Sequence, residues 1–374
     1  MAASELFLKT TRHFLAPVAA FLDDPGISEI MINGPAEVYV ERAGRLAKTE
    51  ARFRDDIALR AAIVNVLQAA GKRLDPEVPL QEARLPDGSR VHVAMDPCSR
   101  RGPVVTIRKH TRSTISVVDL VKSGSMSAAA AEFLKICVAL EKNLVVSGGT
   151  GTGKTTLLNA LSAFIPPGQR IVVIEDVSEL KLSQPHVVPL ETRPADRHGR
   201  GEVTIRDLFR GALRMRPDRI IVGECRGGEA LDMIQAMTSG HAGSMSTLHA
   251  NGPLDALQRL ETMALMSGVE LPLPALRGQV AGAVGVIVQA ARMGDGQRRI
   301  TEIAEVLPLG DDGRYRLQSI FALRAVSEAG VARGLALEWT GQVSALASDA
   351  KLALLAESVR RAHKMLGLPE KAPS

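Results

Sequence analysis

The chain has 374 residues, enough for two domains that each bury a core. Its formal charge of +5 is too small and too evenly spread to indicate a nucleic-acid binder, and aromatics at 3% exclude base-stacking platforms, so no direct nucleic-acid partner is expected. Three cysteines, Cys98, Cys137 and Cys225, lie far apart with no C-x-x-C spacing, which fits a reducing compartment and argues against a thiolate zinc site.

Met1 to Glu5 carries no basic segment leading into a signal-peptide core, and the apolar run Phe14 to Leu22 is too short to cross a bilayer. A soluble, cytoplasmic protein is expected, one that meets a membrane only through partners. Residues 1–110 mix strand-like alternation at Val38 to Glu41 with turn signals at Asn33-Gly34-Pro35 and Pro86-Asp87-Gly88, which reads as an α+β module. Within it, Asp55 or Asp56 should cap a helix whose Ile57, Ala61, Val64 and Leu67 share a face and which Gly71 ends. Residues 111–127, rich in Ser, Thr and Gly, read as a linker.

From 128 to 330 helix and strand alternate. A helix over Ala128 to Leu140 precedes an apolar strand at Leu144 to Ser147, and further strands are expected at Ile171 to Ile174 and Ile220 to Gly223. Between these two lie a hydrophilic loop, Glu191 to Glu202, and a helix capped by Thr204 that carries Leu208, Ala212 and Met215. That order predicts an α/β domain with a mostly parallel sheet covered by helices, with ligand chemistry at the carboxyl ends of its strands. In the tail, 331–374, Leu352, Leu355, Val359, Ala362 and Leu366 step by three and four, which predicts an amphipathic helix. Few basic groups share its polar face, so docking onto the protein itself or a neighbouring subunit is favoured over a membrane surface.

The chemistry begins at Gly148-Gly149-Thr150-Gly151-Thr152-Gly153-Lys154-Thr155, which completes the G-x-x-x-x-G-K-[ST] pattern after a buried strand and before the helix-forming run from Thr156. Such a loop turns successive backbone N–H groups onto a phosphate, and the following helix points its positive end at the same anion. Lys154 would reach the β and γ phosphates of ATP and Thr155 would hold Mg²⁺. A flexible glycine loop with no ligand would leave the flanking strand and helix unexplained.

Two strands deliver acids where a parallel sheet places its ligand: Glu175-Asp176 after Ile171 to Ile174, and Glu224 after Ile220 to Gly223. Either carboxylate could orient the attacking water, and Glu224 could also reach Mg²⁺ through water. Either alone could be a surface acid; together with the loop they read as catalytic. His241 and His249 bracket a hydroxyl-rich run that contains no Cys, Asp or Glu, so zinc is disfavoured and γ-phosphate sensing is the expectation. Among the arginines, Arg90, Arg101 and Arg108 in the first module and Arg193, Arg214, Arg216 and Arg226 in the second are candidates for phosphate contact. Arg90 and Arg108 lead because the first module could fold over the nucleotide as an arginine finger does.

Taken with Ile27 to Pro35, Leu85 to Val91, Thr106 to Lys109, Leu213 to Glu224 and Ser246 to Asn251, these blocks resemble the secretion ATPase superfamily of type II and type IV secretion and type IV pili, most closely its tight adherence pilus branch. The resemblance runs from about Leu15 to Arg324. It implies a RecA-like P-loop domain preceded by a smaller PAS-like domain. It makes Lys154 and Thr155 the phosphate-loop residues, Glu175 the acid of the Asp box, Glu224 the Walker B glutamate, and His241 and His249 the ends of the His box. Arg90, Arg101 and Arg108 match the region whose arginines reach the nucleotide. A homo-hexameric motor working an inner membrane pilus platform is implied, with a type IV secretion or conjugation ATPase as the alternative. A small-molecule kinase would need an acceptor pocket and lid that the histidine-bearing segment fits poorly, and the two strand-end acids argue against a non-catalytic ATP-binding scaffold. The long N-terminal extension and the tetracysteine module of related motors are lacking, Ser239 and Ala242 depart from the usual His box, and the tail from Val331 matches no part of the family.

Overall fold

The computed structural model describes residue 10 and residues 12–367, apart from 43, 76, 86, 110–114, 197, 329–330, 356–361 and 363. Pro86, the first residues of the expected linker and Val359 of the expected tail helix lie outside the described residues. The chain divides into two compact units, Met1–Ser113 and Thr114–Ser374.

In the first unit six strands form one antiparallel sheet: β1 (Ile27–Asn33), β2 (Val38–Arg42), β3 (Arg45–Lys48), β4 (Leu80–Arg84), β5 (Arg90–Ala94) and β6 (Val104–Arg108). Their order across the sheet is β3-β2-β1-β6-β5-β4. The helix Asp56–Ala69 starts where Asp55 accepts the Ala58 N–H at 2.8 Å and stops at Gly71, whose φ of 70° lets Lys72 N–H return to the Leu67 carbonyl. Its buried face is Leu59, Ala62, Ile63, Val66 and Leu67, one step round from the expected one. That face forms a core with the sheet residues Ile30, Ile32, Val91 and Ile107, and Ile57, in the first turn and off that face, is 75% exposed.

The second unit is built on nine strands. Six of them run parallel in the order β12-β7-β11-β10-β8-β9: β7 (Leu144–Gly148), β8 (Ile171–Glu175), β9 (Val187–Glu191), β10 (Arg219–Val222), β11 (Met245–Leu248) and β12 (Val286–Arg292). Beyond β12 the sheet continues antiparallel through β13 (Arg298–Leu307), β14 (Arg316–Glu328) and β15 (Val331–Trp339). Alternation within β7 shows why the strand reads as an unbroken apolar run. Leu144 and Val146 face a core with the helices Ala128–Ala139 and Lys154–Ser162, whereas Val145 faces one with the helices Ile205–Ala212, Glu229–Thr238, Pro253–Leu265 and Leu273–Ala283.

Two expectations are corrected here. The stretch read as a linker contains the helix Val117–Lys122, started by a reciprocal cap between Ser116 and Asp119, and Met126 is 2% exposed in the second unit's core. Ser127 then caps the helix Ala128–Ala139, so the serine-rich composition is helix-start chemistry, each cap contributing about 1 kcal/mol. The tail does not begin at 331, because Val331–Trp339 is the edge strand β15. After it, residues 350–355 form 3₁₀ turns in place of the start of an α-helix. Ser344 and the Ala345 N–H both bind the buried Glu305 carboxylate, and Leu352, Ala362, Met365 and Leu366 are buried in the core beside Val138. The described tail residues Leu352, Ala362, Met365 and Leu366 therefore pack on their own unit, as favoured.

Candidate nucleotide site

The loop from Gly148 to Gly153 leaves the carboxyl end of β7 and enters the helix Lys154–Ser162. Backbone geometry at two positions demands glycine. Gly148 lies at φ 157° where a Cβ would come within 2.3 Å of the Ala290 carbonyl oxygen of β12, and Gly153 caps the helix in the left-handed region at φ 91°. No side chain caps that helix start, so its first N–H groups are open to an anion. Thr152 Oγ1 donates to the Gly149 carbonyl at 2.9 Å, and the buried Lys154 donates to the same oxygen at 3.0 Å. Gly149, Thr150 and Gly151 form the exposed crown of the loop, while Thr155 and Thr156 are half-buried in the first helical turn.

Beside the loop, β11 and β10 end in His249 and Glu224. Thr247 Oγ1 donates to the Gly223 carbonyl at 2.7 Å and the Cys225 N–H to the Thr247 carbonyl at 2.8 Å, which straps the two strand ends together. The result is a chain of charged and polar groups. Lys154 Nζ lies 3.5 Å from His249 Nδ1, and His249 Nε2 lies 2.6 Å from Glu224 Oε1. Glu224 Oε2 accepts from Arg226 Nε at 2.8 Å, and Arg226 Nη1 is 3.6 Å from Asp176. An ammonium can only donate, so Nδ1 of His249 accepts and the ring proton sits on Nε2, which abuts Glu224 Oε1 without the alignment of a hydrogen bond. Burial, and then the Lys154 charge, hold the His249 pKa below the ordinary imidazole value, with Glu224 pulling the other way. Glu224 Oε1 is buried and receives no hydrogen bond of proper geometry, the short histidine contact included.

Glu175 occupies the neighbouring strand end but turns toward its own loop, where Oε1 accepts the N–H groups of Glu179 and Leu180, both at 3.0 Å. It is 4% exposed, and burial raises its pKa against those two hydrogen bonds. Gly223 makes this packing possible, since a Cβ there would lie 2.8 Å from Glu175 Cγ.

Other candidates fall elsewhere. His241 precedes β11 at the amino end of the sheet, where Ser244 binds both its carbonyl and Asn143, whereas the phosphate loop leaves the opposite end. Strand direction thus separates the two histidines, and the structure does not bring His241 to the loop. Arg214 and Arg216 are exposed beside the amino end of β10, and Arg193 binds the Gly201 carbonyl within the loop 191–202.

In the first unit Arg90 and Arg108 are directly opposed on β5 and β6, and Arg84 of β4 opposes Arg90. Directly opposed residues project to one face, so three guanidinium groups stand in a row that ends at Glu29, 3.9 Å from Arg108. Arg101 is not in the row. It lies near Gly34, past the far end of β1 from Glu29.

Sequence reasoning missed Arg84, whose pairing depends on register, and Gln289. That glutamine is the lone polar residue in Val286 to Ala290. It is buried, receives the Ser147 hydroxyl and donates to the Ala250 carbonyl at 3.1 Å, which ties β7, β12 and the segment after His249 together. Its polarity in an apolar strand was the available signal. Among the described residues no cluster of three metal-ligating side chains occurs, and no helix is long and apolar enough to cross a membrane.

Over residues 12–303 the sequence matches the family described as Type II/IV secretion system protein. The chain belongs to that family. It is 37% identical over 289 residues to a putative conjugal transfer protein of Mycobacterium tuberculosis, covering 76% of this chain and 82% of the relative. To the type IV secretion system protein PtlH of Bordetella pertussis it is 36% identical over 306 residues, covering 75% and 90%. With the conjugal transfer protein TrbB of Rhizobium radiobacter it shares 34% over 288 residues, covering 76% and 85%. Among solved structures, the ATPase DotB of Yersinia pseudotuberculosis matches with a TM-score of 0.58 at 18% identity, covering 80% of each chain. The pilus retraction motor PilT with bound ADP matches at 0.51 and 18%, covering 81% of this chain and 80% of that one. At those identities the likeness is one of fold. As a secretion-family ATPase the chain is an ATP-hydrolysing enzyme.

Proposed function

We propose that this chain is the traffic ATPase of a type IV secretion or conjugation apparatus, working as a homo-hexameric ring at the cytoplasmic face of the inner membrane. The observation that carries this reading is the run of relatives at 34–37% identity, named for conjugal transfer and type IV secretion, that this chain matches over 82–90% of their lengths. It displaces the tight adherence pilus motor to which the sequence blocks first pointed, since the likeness to a pilus motor is one of fold at 18% identity.

In this reading the loop N–H groups and Lys154 bind the β and γ phosphates, and the open start of the helix Lys154–Ser162 adds its positive end. Glu224, with its buried, unbonded Oε1 beside neutral His249, orients the attacking water and accepts its proton; Arg226 fixes the other carboxylate oxygen. That orphaned oxygen also fits a water bound to Mg²⁺, whose other protein ligand would be Thr155. Mg²⁺ supplies charge neutralisation of the transferring phosphoryl group. Glu175, held by its own loop, supports the strand end next to Glu224. His249 reports the γ phosphate.

The test is hydrolysis by the purified protein with Mg²⁺ and no phosphoryl acceptor, paired with export or plasmid transfer in cells. Lys154→Ala should lower turnover by at least about a hundredfold and abolish transfer. Undiminished hydrolysis would defeat the enzymatic assignment. Loss of surface pili with transfer intact would return the protein to the pilus reading.

A further inference from the structure

The residues around the phosphate loop lie on two flanks of β7. On one flank β11 and β10 deliver His249 and Glu224. On the other, β12 pairs with β7 as far as Ala290 opposite Gly148 and runs on to Arg292, which lies directly across from Arg298 at the start of β13. The turn between them is tight: Met293 N–H donates to the Gln297 carbonyl at 2.8 Å, and Asp295 is spoken for by Arg299 at 2.8 Å.

Two observations point to a ligand there. Arg298 Cδ stands 3.4 Å from the position a Cβ on Gly153 would take, so the stem of this arginine lies against the residue that starts the phosphate-binding helix. Arg298 is exposed and meets no carboxylate among the described residues, while a second arginine sits directly opposite it in register. An exposed guanidinium with no carboxylate beside it can take an anion, and a phosphate oxygen of a ligand held by the loop would supply one.

The sheet order fixes which part of the ligand is near. A nucleotide held by the loop must lead with its γ phosphate toward Glu224 and His249, so its nucleoside end trails toward the β12–β13 hairpin. We infer that Arg298, with Arg292 opposite it, forms the nucleoside end of the ATP site within the same unit, contacting the α phosphate and ribose. This rests on the nucleotide reading of the loop. Because that part of the ligand is common to ATP and ADP, the contact contributes equally before and after hydrolysis and sets affinity more than rate.

Calorimetric titration of the full-length protein with unlabelled ATP analogue and ADP tests it, with Lys154→Ala measured alongside. Arg298→Ala should raise the Kd for both nucleotides by about tenfold, the worth of one charge-assisted hydrogen bond, and leave saturated turnover within about twofold. Arg314→Ala, on the exposed next hairpin, should change neither. Unchanged affinity in Arg298→Ala while Lys154→Ala abolishes turnover would overturn the inference and leave the nucleotide reading standing. A loss confined to the ATP analogue would overturn it too, because it would place Arg298 at the γ phosphate. If Lys154→Ala left turnover intact, the nucleotide reading itself would fall.

Discussion

At the carboxyl end of the second unit's sheet, His249, Glu224, Lys154 and Arg226 face one another, and one carboxylate oxygen is left buried without a hydrogen bond. At the amino end Arg219 and Asn143 turn mostly onto the backbone. Arg219, fully buried, donates to the carbonyls of Val138 and Gly243 and to Gln169. Asn143 binds the Met237 and Ala283 carbonyls and the Ser244 N–H. Polar groups that bind main-chain carbonyls and N–H groups inside the core are structural, because they satisfy backbone that would otherwise be buried without a partner. Polar groups that answer to one another and leave an acceptor over are available for a substrate. His241 and His249, eight residues apart, fall at opposite ends of the sheet.

The division can be broken most decisively at Glu224. Glu224→Gln should bind ATP as the native protein does while kcat falls about a hundredfold, since the amide keeps the shape but cannot take a proton. Normal turnover in that variant would move the catalytic acid elsewhere, with Glu175 next in line. A contrasting outcome is expected at the other end. Arg219→Met should lower unfolding stability by about 2 kcal/mol or more, because the two carbonyls and Gln169 lose their donors inside the core, with kcat per folded molecule unchanged. Urea titration and turnover measured together check this, and lost turnover at unchanged stability would erase the distinction between the two ends.

A finer test titrates the histidines by NMR. The His249 midpoint should lie below the ordinary 6.5, since burial and Lys154 disfavour the imidazolium. Removing the cation in Lys154→Ala should move it up, and removing the anion in Glu224→Gln should move it further down, because the first change relieves repulsion and the second withdraws attraction. The smallest effect belongs to His241→Ala, for which ATP affinity and the His249 midpoint should both stay put; a shift in either would join His241 to the site.

The phosphate loop, its flanking strand and helix and the two strand-end acids were legible in the sequence because each depends on neighbours a few residues away: glycines where the backbone needs them, apolar runs where both faces are covered, acids just after them. The serines from Ser116 to Ser127 show the limit of composition. The same residues suit a linker and a helix cap, and only the N–H groups they meet decide between the two.

Arg84, Gln289 and Arg298 were not legible, because each acquires its setting from a strand distant in sequence. Register placed Arg84 beside Arg90, and strand order placed Gln289 and Arg298 against the loop. By itself, then, the sequence determined that a glycine loop would join a buried strand to a helix start and that acids would follow two buried strands, since those are consequences of local sterics and hydrogen bonding. Tertiary structure alone decided that Glu224 meets His249, that Glu175 turns away into its own loop and that Arg219 and His241 stay at the other end. The physical reason is that the order and direction of strands are set by burying both faces of the sheet at once, a requirement no local stretch of chain can express.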